Sequence, residues 1–137
     1  MVSMAILFGI VAMLGWGFWA VFAKLATNTL PPALAMVISY VTASLIAFGY
    51  VYTQRASLTL PMDGVLLAAV AGLFAGIGGV VFYMGLDIGR ASIVTTLGAL
   101  YFAVPVVVGI LFLGEVMDAA DAAGIGFAIV AVLLLAR

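Results

Sequence analysis

Few residues in this chain are able to do chemistry. Among its 137 positions there is no histidine and no cysteine. That excludes disulfides, thiol chemistry, cysteine zinc sites and histidine acid–base catalysis. The charged set is Lys24, Arg55, Arg90 and Arg137 with Asp63, Asp87, Glu115, Asp118 and Asp121. It contains no metal set, no nucleophile–base pair and no embedded carboxylate pair, so neither an enzyme nor a cofactor is expected. What remains is noncovalent recognition. Trp16, Trp19, Tyr40 and Tyr101 join large apolar rings to polar edges that need partners when buried. Lys24 adds a cation, and Thr95, with Ser92 and Thr96, adds hydroxyls. These groups suit the lining of a cavity for a small solute. An aromatic core with internal hydrogen bonds accounts for the same rings. Lys24 can instead extend its stem to the membrane interface, and the hydroxyls can bond to carbonyls of the preceding turn.

The elements holding these groups follow from composition. Hydrophobic residues make up 69% of the chain and charged residues 7%, against about half and about a quarter in a soluble domain. Lipid must therefore be the main solvent. The net charge is −1, and four basic residues leave no patch for nucleic acid. A membrane-spanning helix takes about 20 apolar residues, and charged residues divide the chain at nearly that interval. The spacing predicts one domain over residues 1–137, with helices at about 4–26, 33–53, 64–86, 91–113 and 119–136. The fifth is short, and acceptable with local thinning of the bilayer; Asp118 and Asp121 suit its N-terminus. The runs are continuously apolar rather than alternating, which excludes a β-barrel. The first run carries no charge before Lys24, so it reads as a permanent helix rather than a cleaved signal.

Every charge falls near a predicted helix end, which weighs against a carboxylate proton relay at the bilayer centre. Five spans place the termini on opposite faces. Let side A hold the N-terminus. It carries Arg55, Asp63, Glu115, Asp118 and Asp121, net −3, while side B carries Lys24, Asp87, Arg90 and Arg137, net +2. Side B is weakly favoured as cytoplasmic by its basic residues. So small a bias admits either a single orientation or insertion in both, building an antiparallel pair with acidic faces beside basic ones. Lys24 of one copy would then share a membrane face with Glu115, Asp118 and Asp121 of the other.

Small residues mark the expected packing faces, because lipid-embedded helices associate by close contact rather than by hydrophobic burial. The third helix carries Ala68, Gly72, Gly76 and Gly79, and the fifth carries Ala120, Gly124 and Ala128. Pro105 falls within the fourth helix and would free the carbonyl of Tyr101. Irregular helices of this kind surround midplane sites in transporters.

Several local patterns resemble one family. Trp16-Gly17 followed by Lys24 is similar to the opening signature of the EamA domain in the drug/metabolite transporter superfamily. Tyr83-Met84-Gly85-Leu86, Gly89-Arg90-Ala91-Ser92, Pro105, Leu113-Gly114-Glu115 and Gly124 resemble its later part, in order. The resemblance implies an all-α membrane protein forming one five-helix repeat of a transporter fold. Family members typically fuse two such units in inverted orientation, which implies here a homodimer, antiparallel in the simplest case. The expected partners are a small-molecule solute (a metabolite or drug) and the lipid bilayer, and the expected location is the plasma (inner) membrane of a prokaryote. Related small multidrug resistance proteins use a glutamate in helix 1; this helix has no acid, which argues against that proton antiport. The expected function is transport by alternating access. The alternatives are an accessory subunit of a larger membrane complex and a flippase of lipid-linked substrate.

Overall fold

The computed structural model describes residues 4–54, 59–114 and 116–135. Their regular structure is helical: α1 (Met4–Thr27), α2 (Pro32–Gln54), α3 (Met62–Ile88), α4 (Ala91–Ala99), a 3₁₀ turn (Leu100–Phe102), α5 (Ala103–Phe112) and α6 (Ala119–Leu135). Met4–Thr27, Pro32–Gln54, Met62–Ile88 and Ala91–Phe112 are each long and apolar enough to cross a membrane. α6 is a shorter apolar helix, rising about 25 Å at 1.5 Å per residue, a few ångströms short of the hydrocarbon thickness.

Helix ends differ from the sequence expectation for local reasons. α2 starts at Pro32 rather than 33, since a first-turn position has no use for the missing amide. The Pro31 carbonyl accepts from Leu34 and Ala35 at 2.9 and 3.0 Å and opens the helix. α3 is longer at both ends than 64–86. Asp63 fits its first turn, where exposed amides and the helix dipole favour an acid. Asp87 falls in its last turn, where that same dipole disfavours an acid, and there a cation from α1 approaches the backbone. The span expected at 91–113 is divided by the 3₁₀ turn. Its residues keep right-handed helical angles (Leu100 φ −61°, ψ −10°), so the axis tightens without breaking. The turn ends three residues before Pro105, whose ring crowds the carbonyl of Tyr101. Leu113 closes α5, and Gly114 follows at φ +69°, the left-handed position that a glycine fills without strain. α6 opens on a reciprocal cap: Asp118 Oδ1 accepts from the Asp121 amide at 2.8 Å, and Asp121 Oδ2 from the Asp118 amide at 3.3 Å. Arg55, Glu115 and Arg137 lie outside the described residues, as does Ala136 at the end of the expected fifth helix.

The chain divides into two compact units at Ile88/Gly89. In the first, α1, α2 and α3 pack on one another, and burial is confined to one end. Ala23 and Thr27 of α1, Ala35 and Met36 of α2, and Gly79, Tyr83 and Leu86 of α3 are buried. All lie toward side B. Every residue of α2 from 41 to 54 is exposed, as is every residue of α3 from 62 to 75. In the second unit, α4 packs on α6, and the 3₁₀ turn touches both α4 and α5.

Candidate functional site

The packed end of the first unit is where aromatic and polar groups converge. Trp19 stacks on Phe82 with ring centroids 5.2 Å apart and planes 14° from parallel. It meets Tyr83 edge-on at 5.8 Å, the offset and T-shaped arrangements that ring quadrupoles favour. Tyr83 is fully buried, and its phenol donates to Ser39 Oγ of α2 at 2.7 Å. About two turns along α3 toward side A, the carbonyl of Ala75 accepts from the Tyr40 hydroxyl at 3.3 Å. Gly79 makes this close approach of α2 to α3 possible. A Cβ there would lie 2.7 Å from both Met36 Cε and Tyr40 Oη. The cluster sits one to two helical turns, about 7–12 Å, inward from the side-B helix ends, not at the membrane centre.

Lys24 closes that end. Its ammonium donates to the Leu86 carbonyl at 2.5 Å and reaches the Asp87 carbonyl at 3.4 Å. These belong to the last four carbonyls of α3, which have no intrahelical partners and carry the negative end of its dipole. Thr27 sits one turn on and donates to the carbonyl of Lys24 at 2.9 Å, securing the end of α1.

The residues expected to line a cavity therefore have different fates. Trp19, Tyr40 and Lys24 come together in the first unit, in contact with α3. Trp16 points outward with 60% of its surface exposed. Tyr101, also 60% exposed, and Thr95 belong to the second unit. Thr95 donates to the Ala91 carbonyl at 2.6 Å, and Thr96 to that of Ser92 at 2.6 Å, as hydroxyls in apolar helices commonly do. Of the glycines expected at packing faces, Gly79 has close neighbours, whereas a methyl at Gly72, Gly76 or Gly124 would meet nothing within 4 Å. Ala68 is exposed and Ala128 half-buried. The second unit has an open groove of about 470 Å³ between α5 and α6, lined mainly by Val106, Ile110, Met117, Ala120 and Gly124 with Asp121 at its edge.

Ser39, Phe82 and Tyr83 were not among the cavity candidates. Ser39 is one of several hydroxyls in α2, with Tyr40, Thr42 and Ser44 close by; Thr42 and Ser44 bond within their own helix, and nothing in the sequence marks Ser39 as the one that pairs with α3. Tyr83 stood in a family motif without a role.

Long apolar helices, whose hydroxyls bond to carbonyls of their own helix or to a neighbouring helix, define a helical membrane protein. Its recognition groups are noncovalent. A family model for EamA-like transporters matches residues 3–137, and the chain belongs to that family. The family consists of membrane transporters of the drug/metabolite type. No curated protein and no solved structure matches the chain.

Proposed function

We propose that the chain carries small metabolites or drugs across the membrane by alternating access, working as an antiparallel dimer of five-helix units. The observation that carries this reading is the asymmetry of α1–α3 within a transporter-family chain. One end is sealed by rings, a buried phenol–serine bond and a lysine cap, while the same helices are exposed toward the other end. A carrier needs one end of its pathway closed while the other is open. Trp19 and Tyr40 supply ring and hydroxyl contacts at the inner limit of the open end. A second, inverted copy would bring Asp118 and Asp121 to the membrane face that holds Lys24 and Arg90, joining net-negative to net-positive surfaces.

Purified protein in sealed liposomes tests the reading. Uptake of at least one class among amino acids, aromatic metabolites and organic cations is expected, reduced several-fold by Trp19→Ala. Absence of flux for every class, with and without imposed proton, sodium and solute gradients, would overturn it.

A further inference from the structure

We propose that Lys24 is the latch of a gate at the side-B end of the α1–α3 unit, and that opening toward side B requires its ammonium to leave the α3 carbonyls. α1 and α3 both run from side A to side B, as the pairing of Trp19 with Phe82 and of Lys24 with Leu86 shows. Their C-terminal ends, each carrying partial negative charge, therefore lie side by side. Two such ends repel. The N-terminal end of α2, which packs there with the opposite dipole sign, offsets part of that repulsion, and Lys24, carried on the last turn of α1 and bonded to Leu86 and Asp87 of α3, adds a full cation.

The contact is built to be reversible. Its acceptors are backbone carbonyls that water can also satisfy, and the lysine stem is long enough to carry the ammonium out to the interface. Two stable positions are thus available to one side chain. The contacts further in differ in kind. The Trp19–Phe82 stack and the seating of Met36 and Tyr40 over Gly79 are ring and van der Waals contacts with no charge to move to water, so they serve as the pivot. Beyond Tyr40, α2 is exposed along the rest of its length, so separation at the latch would exchange one open end for the other. The gating role rests on the transport reading above; the closure itself does not depend on flux.

The chain has no cysteine, so single-cysteine reporters give clean readouts. Ala35→Cys reports the closed end, where Ala35 is 2% exposed. Ser44→Cys reports the open end, being exposed on the α2 groove that also holds Met36 and Tyr40. Labelling with a hydrophilic maleimide is measured in nanodiscs, where both membrane faces meet reagent and insertion orientation does not matter. Lys24→Met is expected to raise the Ala35→Cys rate about tenfold, the shift that losing one charge-assisted hydrogen bond produces in a two-state equilibrium. The Ser44→Cys rate is expected to fall, and Lys24→Arg to leave both near the parent values. An unchanged Ala35→Cys rate overturns the proposal. So does a rise at both reporters, which would mean that the bundle had merely loosened. Should Lys24→Met fail to fold, Lys24→Gln carries the same expectation and the same two overturning results. Absence of flux with the labelling pattern intact would overturn the transport reading and leave the closure standing.

Discussion

Tyr83 has no exposed surface, and its phenol finds its acceptor on another helix, at Ser39. Removing one partner of a buried pair costs more than removing both, because the survivor keeps its desolvation penalty. Ser39→Ala is therefore expected to destabilise the protein by about 1–2 kcal/mol, and Tyr83→Phe by about 0.6 kcal/mol, the mean for hydrogen bonds between membrane helices. The double variant should recover part of the loss, with a coupling of about 0.5–1 kcal/mol in a double-mutant cycle. Reversible unfolding in mixed micelles gives these values, and zero coupling would show that the two hydroxyls act independently. Gly79 makes a second residue-scale case. Met36 Cε is the far end of a flexible chain and can swing aside, whereas the rigid Tyr40 ring must move as a whole and give up its bond to Ala75. Gly79→Val is expected to cost about 1–3 kcal/mol, the range for overpacking a fitted contact. Gly72→Ala, which meets nothing within 4 Å, should stay within about 0.5 kcal/mol of the parent. A loss at Gly72 as large as that at Gly79 would reveal a contact with another copy.

At the scale of elements, the fourth span is the least regular. Pro105 lacks an amide and crowds the carbonyl one turn back, and the helix answers by tightening into 3₁₀ geometry at Leu100–Phe102. Restoring an amide with Pro105→Ala is expected to regularise this turn, raise the melting temperature and slow transport several-fold. A melting temperature that stayed level or fell would mean that the proline is accommodated without strain. The end of α5 gives a simpler expectation. Gly114 holds φ +69°, and a Cβ in that region costs roughly 1–2 kcal/mol. Gly114→Ala should lower stability by about that amount, while Gly126→Ala, exposed within α6, should not. Thermal unfolding followed by circular dichroism distinguishes the two.

For the whole molecule, the controlling quantity is the distribution of charge across two membrane faces. In the proposed five-span topology three basic residues on side B oppose one on side A, a margin small enough to admit either a single orientation or both, and the antiparallel dimer proposed above needs both. Reporter fusions at the C-terminus should give signal on both sides of the membrane, and adding two lysines beside Arg90 should make the signal one-sided. One-sided signal from the parent chain would remove dual insertion and, with it, the antiparallel homodimer.

The sequence by itself determined the solvent, the apolar helices and the ends where charge collects. These depend on quantities that add along the chain: transfer free energy per residue and the length of an apolar run. Helix identity was legible for that reason, and so was Lys24 at a helix end. Facing was not. The helices are apolar all round, so no amphipathic stripe says which side turns inward. Association in lipid then turns on close fit and on a few hydrogen bonds. Trp16 and Trp19 read alike along the chain, and so do Gly72, Gly76 and Gly79. Only the packing of α3 against α1 and α2 separates them, covering Trp19 and Gly79 and leaving the others open. Tertiary structure likewise decided what Lys24 does. A residue legible as a cation at the membrane edge became a cap on another helix, because the unpaired carbonyls of α3 end within its reach.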